Sequence, residues 1–191
     1  MRLKTLATLL IALAAIPAFG QTGRPYTISV DLTGAPRKFL RAHMTIPARP
    51  GPLTLVYPEW IPGEHGPTGP IDNFAGIRFT ANGQPVPWRR DSVDMYAFHL
   101  DVPAGANTLD ARVDFLATAP PTGFSSGAST SANLAVVNWN EFVLYPANTP
   151  SKQVTFQPSI TLPDGWKFGT ALTQTSRAGN TIHFQPVPLN M

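Results

Sequence analysis

The stretch YTISVDL, residues 26–32, alternates apolar and polar side chains at every position. Its apolar members share one side of an extended chain: Tyr26, Ile28, Val30 and Leu32. Successive side chains of a β-strand point to opposite faces, so this pattern predicts a strand with one face on a core and the other in water.

The same alternation recurs in three other stretches, LDARVDFLA (109–117), VTFQPSITL (154–162) and YAFHLDV (96–102). We predict that each forms a half-buried strand. The expected inward residues are Leu109, Ala111, Val113 and Phe115 in the first, Val154, Phe156, Ile160 and Leu162 in the second, and Tyr96, Phe98, Leu100 and Val102 in the third. His99 and Asp101 fall on the opposite face of the third stretch and are expected at its polar surface.

Turn residues separate these stretches. Asn82-Gly83 and Gly179-Asn180 predict tight hairpins, and proline–glycine turns are expected at Pro103–Gly105 and Pro163–Gly165. After residue 20, no stretch of ten or more residues carries a convincing helical period. The chain has 21 prolines and 15 glycines, a composition typical of a β-rich domain. We therefore expect one all-β domain, an antiparallel sandwich or strongly curved sheet, with residues 118–146 as a long loop lying on another surface.

The first twenty residues have the pattern of a secretory signal peptide. A basic start, MRLK, precedes the apolar run TLATLLIALAAIPAF, and Ala18 and Gly20 are small residues of the kind signal peptidases recognise. We expect cleavage before Gln21 and export, to a bacterial periplasm. The alternative is an uncleaved membrane anchor, although the run is short for a membrane span.

Charge and cysteine content exclude several classes of function. The whole chain has 14 basic and 11 acidic residues, but loss of Arg2 and Lys4 with the signal leaves a net charge of about +1. Binding to nucleic acid needs a basic surface, so no nucleic-acid partner is expected. Nor is a membrane partner expected once the signal is removed. The chain contains no cysteine, which excludes disulfides and thiolate catalysis.

Known catalytic patterns are absent or lack their structural context. The four histidines, His43, His65, His99 and His183, do not have the spacing of a His-Glu-x-x-His zinc site. GFSSG (123–127) has the spelling of a serine-hydrolase elbow around Ser125, but no strand–turn–helix pattern surrounds it. The acids include no distinctive pair for glycosidase chemistry. The tryptophans could line a sugar-binding face, but they serve more often as core or interface residues. We predict no catalytic residue and no metal ligand in this chain.

The proline-rich stretch YPEWIPGEHGPTGP, residues 57–70, is the most distinctive candidate for a functional loop. Its four prolines restrict the backbone, and Gly63 and Gly66 allow sharp turns on either side of Glu64-His65. Two interpretations remain open from these residues alone. The charges face water without a role, or the loop presents an acid to a neighbouring cleft.

Three longer runs resemble the N-terminal domain of the glycyl aminopeptidase family of zinc metallopeptidases. They are the run from VDLTG to DVPAG (30–105), GFSSGASTSANLAVVNWNEFVLYPA (123–147) and LPDGWKFGTAL (162–172). The element W-x-P-G at Trp60–Gly63 is its family-level signature. The similarity covers roughly residues 25–188, nearly all of the chain after the signal.

The resemblance implies a β-sandwich or saddle-shaped fold like the first domain of aminopeptidase N. It also implies packing against a thermolysin-like catalytic domain, which holds zinc through His-Glu-x-x-His and a downstream glutamate. That domain would follow Met191, so the chain is expected to be a fragment of a longer peptidase, without zinc of its own and with its last strand beyond the end.

Within the resemblance, residues 21–191 form a non-catalytic domain that helps to wall the cleft. Trp60, Gly63 and Glu64 are the candidate cleft residues, and Glu64 would help to bind the α-amino group of a peptide substrate at the domain edge. The alternative function is a free-standing periplasmic module that binds peptides or carbohydrates.

Overall fold

A computed structural model of the protein describes residues 24–61, 63–117 and 127–190. The predicted signal peptide, Pro62 and Ser125 lie outside the described residues. Within these ranges the regular elements are strands and four 3₁₀ turns, at Ala35–Arg37, Ile71–Asn73, Trp139–Phe142 and Ser151–Gln153. No helix in the described ranges is long and apolar enough to cross a membrane. The strands are β1 (Tyr26–Asp31), β2 (Phe39–Pro47), β3 (Gly51–Val56), β4 (Phe74–Ala81), β5 (Gln84–Val86), β6 (Trp88–Arg90), β7 (Ala97–Val102), β8 (Thr108–Leu116), β9 (Ser129–Thr130), β10 (Ala135–Val136), β11 (Tyr145–Pro146), β12 (Thr155–Thr161), β13 (Gln174–Ala178), β14 (Thr181–Phe184) and β15 (Val187–Pro188).

Nine strands form one large sheet in the order β13-β14-β12-β1-β2-β8-β4-β5, with β15 also paired to β12. A second sheet has the order β11-β3-β7-β6, and β9 and β10 form a small hairpin. The expectation of a purely antiparallel domain is wrong at one place, because β1 and β12 are parallel. A parallel pair needs a long crossover connection, and here all strands from β2 to β11 lie between the two partners.

The predicted alternation is confirmed, and it generates a single core. The inward residues of β1, β8 and β12 are buried, while Tyr96, just before β7, is half-buried. Aromatic contacts join the two larger sheets, since the ring of Phe74 on β4 lies 6.3 Å from that of Phe98 on β7 and the ring of Phe79 lies 6.2 Å from that of Trp88 on β6. The fold is therefore a β-sandwich in which the smaller sheet covers part of one face of the large one.

Strand β4 contains a bulge that the sequence analysis did not predict. Ala75 is opposite Asp114 and Arg78 is opposite Arg112, so β4 has one residue more than β8 in this interval. The extra residue shifts the inward positions from even to odd numbers, and both Phe74 and Ile77 are buried as a result. Gly76 makes the bulge with a φ of +60°.

The predicted turns are confirmed. Asn82 and Gly83, with φ of 51° and 74°, connect β4 to β5, and Gly179 (φ 59°) is at the tip between β13 and β14. Residues 141–144 belong to the long stretch expected to lie on another surface, and all four are buried. The ring of Phe142 lies 5.0 Å from that of Phe115, and the Leu144 N–H donates to Met44 Sδ at 3.3 Å. The apolar residues Phe142, Val143 and Leu144 stabilise the fold by covering part of the inner face of the large sheet.

Candidate functional site

Residues 57–70, here called the proline loop, connect β3 to the 3₁₀ turn that precedes β4. The Gly69 N–H donates to the Glu59 carbonyl at 2.9 Å and closes the base of the loop. A Cβ atom at position 69 would clash with the Pro58 carbonyl oxygen, so the close approach of the two loop ends requires glycine there. Within the loop, the Glu64 N–H donates to the Ile61 carbonyl at 3.3 Å. These two backbone hydrogen bonds agree with the prediction of a pre-ordered loop.

Tyr96 holds the proline loop from the side of the smaller sheet. Its hydroxyl donates to the carbonyl of Pro67 at 2.9 Å and lies 3.3 Å from that of Gly69. Its ring is stacked on Tyr57, with centroids 6.4 Å apart and an angle of 13° between the planes. The loop is therefore attached to the body of the domain through two aromatic side chains as well as through its own backbone.

Glu141 extends this connection into the core. Its side chain is 1% exposed, and the Ala128 N–H donates to both carboxylate oxygens, at 3.0 and 2.8 Å. Asn138 Nδ2 lies 3.4 Å from Oε1, and the Tyr57 hydroxyl donates to the Glu141 carbonyl at 3.1 Å. Burial raises the pKa of the Glu141 carboxyl, and the two donated bonds partly offset this effect. Burial and the Glu141 charge also raise the pKa of Tyr57.

The proline loop and the segment before Glu141 border an open groove of about 680 Å³, here called the Trp60 groove. One wall comes from the proline loop and β11, a second from the segment before Glu141, and the third from the strands near the end of the chain. Its main side chains are Pro58, Trp60, Val137, Asn138, Trp139, Asn140, Tyr145, Phe156, Leu172 and Leu189. The volume falls within the range of ligand sites, which is roughly 300–1,000 Å³.

The Trp60 groove is apolar with polar groups at a few points. Trp60 is 63% exposed and borders other apolar side chains of the groove, and a contiguous exposed apolar surface is typical of an interaction site. Burial raises the pKa of the Tyr145 hydroxyl, and the nearby Glu59 carboxylate raises it further. The arrangement suits an apolar or extended partner that also presents hydrogen-bonding groups.

The structure brings one of the three predicted cleft residues to this groove. Trp60 lines it, whereas Gly63 and Glu64 are not among the described residues of its lining. Gly63 is exposed with a φ of +88°, and Glu64 is half-buried in the same loop. The roles of Trp60, Gly63 and Glu64 in a substrate cleft remain predictions.

The sequence analysis missed the residues that hold the loop. Gly69 and Tyr96 gave no signal, because their roles depend on contacts between distant parts of the chain. Glu141 offered a weak signal, since it is an acid followed directly by the apolar run Phe142–Leu144.

The described residues do not fit a zinc site. Among residues 24–61, 63–117 and 127–190, no group of three or more His, Cys, Asp or Glu side chains could hold a metal ion. His43 Nε2 instead lies 2.9 Å from Asp110 Oδ1. His99 lies between Asp91, at 2.7 Å from Nε2, and the Thr54 hydroxyl, at 2.9 Å from Nδ1.

Comparisons with known proteins place the fold in context. The sequence matches the family described as the Peptidase M61 N-terminal domain over residues 27–190. A comparison with curated proteins gives no significant match. An aminopeptidase N family protein from Idiomarina loihiensis has a similar structure, with a TM-score of 0.68 and 14% sequence identity over 83% of this chain and 26% of that chain. This likeness confirms the predicted resemblance of the fold to aminopeptidase N.

An M1 zinc metallopeptidase from Deinococcus radiodurans aligns with a TM-score of 0.44 and 19% identity, over 87% of this chain and 39% of that chain. This chain thus spans about a quarter of the length of the first structure and about two fifths of the second.

Proposed function

The chain belongs to the Peptidase M61 N-terminal domain family, and from this premise we propose that it is the non-catalytic β domain of an exported glycyl aminopeptidase-like peptidase. In this proposal the domain packs against a thermolysin-like catalytic domain and helps to wall its cleft. Zinc and the groups that activate water belong to that catalytic domain.

The observation that carries the proposal is the position of Trp60 within the family match. Trp60 lies within the matched residues, in the W-x-P-G element on which the predicted resemblance rests, and it is an exposed aromatic residue on the wall of an open groove. The proline loop behind it is fixed by Gly69 and Tyr96, so Trp60 meets a partner without a large cost in loop ordering. An exposed aromatic side chain and a loop that is already ordered before binding both suit a docking or cleft-lining surface.

The binding experiment uses this chain and a separately produced catalytic domain of an M61 peptidase. Trp60→Ala should weaken their association at least about tenfold, because a buried tryptophan at an interface commonly contributes 2 kcal/mol or more. Val93→Ala is the matched control, since Val93 is also exposed, at 93%, but lies outside the Trp60 groove. Equal affinities of the two variants would contradict the proposal.

Glu64 is proposed to help bind the α-amino group of the substrate from the rim of the cleft. In a full-length relative that carries the same loop, substitution of this glutamate by Gln should raise KM for a peptide and leave the fold intact. Unchanged kinetics would remove Glu64 from the site without affecting the docking role of Trp60.

Export is the remaining part of the proposal. Residues 1–20 would direct the chain out of the cytoplasm, and signal peptidase would cleave it before Gln21. N-terminal sequencing of the protein expressed in a bacterial host tests this. A mature start at Gln21 in the periplasmic fraction is expected, and a retained Met1 would contradict it.

The Trp60 groove also favours a second candidate function, a free-standing module that binds peptides or carbohydrates. Its aromatic residues Trp60, Trp139 and Tyr145 are suited to stacking on a ligand. Ligand-induced increases in the melting temperature would identify such a module. The first function predicts stabilisation by the catalytic domain and none by free peptides or oligosaccharides.

A further inference from the structure

Two arginines lie side by side on the polar face of the large sheet, away from the Trp60 groove. Arg78 of β4 is directly opposite Arg112 of β8, and Arg112 is in turn opposite His43 of β2. Residues directly opposite in antiparallel strands have Cβ atoms about 5 Å apart and project from the same face. The register therefore places two guanidinium groups and an imidazole in one row.

The two guanidinium groups have no partner within the described part of the chain, where neither makes a hydrogen bond or an ion pair. Two acids on the same face of the sheet are engaged by other residues. Asp110 Oδ1 accepts from the Thr45 hydroxyl at 2.8 Å and contacts His43 Nε2 at 2.9 Å, while Asp31 Oδ2 lies 3.9 Å from Arg41 Nη1. Like charges directly opposite one another destabilise a sheet, and no acid among the described residues forms an ion pair with either guanidinium group.

The row borders a concavity of about 470 Å³. Its charged lining consists of Arg41, Arg78 and Arg112 against Asp31 and Asp114, which leaves a net charge of +1 with His43 neutral. The carboxylate of Asp114 faces the bulge at Gly76, where a Cβ atom would lie 2.5 Å from Oδ2. Asp114, together with Asp31, is thus an acid that opposes an anion at this place.

We propose that Arg78 and Arg112 form a binding site for an oxyanion, the phosphate or carboxylate group of a small ligand. A guanidinium group presents a rigid fork of donors that matches such groups in a bidentate manner, and two forks from adjacent strands could hold one anion between them. Binding would also relieve the repulsion between the two side chains. This inference is independent of the proposed docking function, because it uses the opposite face of the large sheet.

The test is a titration of the purified chain with inorganic phosphate at constant ionic strength, monitored through the arginine Nε–Hε resonances by NMR. A saturable shift of the Arg78 and Arg112 signals is expected, and Arg78→Ala or Arg112→Ala should weaken binding about tenfold, the effect of losing one charge-assisted hydrogen bond. Asp114→Asn should strengthen it by removing the opposing charge. Arg177→Ala, on the distant edge strand β13, should leave it unchanged.

Acetate serves as a second probe under the same conditions. Tighter binding of phosphate would identify a tetrahedral oxyanion as the ligand group, and tighter binding of acetate would identify a carboxylate. Melting temperatures of the variants control for folding. Shifts that chloride reproduces at equal concentration, or phosphate affinity unchanged in folded Arg112→Ala, would overturn the proposal.

Discussion

Glu141 is the one buried charged side chain in the described part of the chain. It accepts the backbone N–H of Ala128 through both oxygens and so joins residues 127–128 to the segment that lines the Trp60 groove. An acid at this place is costly when it is ionised, because burial removes its hydration. Glu141 therefore fixes the position of the segment that lines the Trp60 groove, and it makes the stability of the domain depend on pH.

Glu141→Gln should alter the pH dependence of stability. Burial raises the pKa of Glu141 in the folded protein above its ordinary value of 4.5, so the folded state binds the proton more readily than the unfolded state. Its contribution to stability is present below the ordinary pKa and is lost as pH rises through the raised value. Relative to the wild-type protein, the Gln variant should therefore gain stability as pH rises from below 4.5 through the raised pKa, by about 1.4 kcal/mol per unit of pKa difference.

Urea unfolding of both proteins across this pH range measures the effect. The Gln side chain keeps one oxygen for the Ala128 N–H, which limits other losses. A stability difference that is constant with pH, or one that moves in favour of the wild-type protein as pH rises, would show that the carboxyl does not titrate as described.

Gly69→Ala should destabilise the domain and loosen the proline loop. The added methyl group would meet the Pro58 carbonyl oxygen, and a forced shift of that size costs roughly 1–3 kcal/mol. Gly66→Ala is the matched control in the same loop, because the nearest atom to its new Cβ would be Thr68 Cγ2 at 3.9 Å. Thermal unfolding compares the two, and equal melting temperatures would contradict the close approach at position 69.

At the scale of elements, the proline loop depends on the smaller sheet for its position. Tyr96→Phe removes the hydroxyl that bonds the carbonyls of Pro67 and Gly69, and should cost about 0.5–1.5 kcal/mol. The loss should be local, with faster hydrogen exchange of the Gly69 amide. Tyr145→Phe is the control, since its hydroxyl has no hydrogen-bond partner among the described residues. Equal hydrogen-exchange rates of the Gly69 amide in the two variants would show that the Tyr96 hydroxyl does not hold the loop in place.

The bulge in β4 gives a second prediction at this scale. Gly76→Ala combines a φ of +60° with a Cβ atom 2.5 Å from Asp114 Oδ2, and should destabilise the protein by about 1–3 kcal/mol. Combining it with Asp114→Ala should recover the steric part of the loss but not the backbone strain. A double-mutant cycle by chemical denaturation measures this recovery. Strictly additive effects would show that the two side chains do not meet.

The strands were predictable wherever one face meets the core along a whole stretch. Residues 26–32 and 109–117 show this, because burial imposes a period of two on the sequence. The bulge was not predictable in the same way, although Gly76 inside an apolar stretch was a usable signal. The parallel pairing of β1 with β12 left no signal in the sequence, because strands that pair across a long sequence separation create no local pattern.

At the scale of the whole molecule, the sandwich presents two different surfaces. The Trp60 groove lies beside the proline loop, and the polar face of the large sheet carries Arg78 and Arg112. The sequence predicted Trp60 as a site residue through the family signature, but not the groove, which is assembled from three distant segments. For the same reason, the network of Tyr57, Tyr96 and Glu141 could be found only in the folded structure.

The central claim is that this chain contributes a surface to a peptidase and not its chemistry. The most direct measurement is hydrolysis of a glycyl p-nitroanilide substrate by the purified chain with added zinc, with zinc content determined after dialysis. The account predicts no zinc-dependent hydrolysis and less than stoichiometric zinc. Hydrolysis that a chelator abolishes, or one tightly held zinc ion per chain, would contradict it.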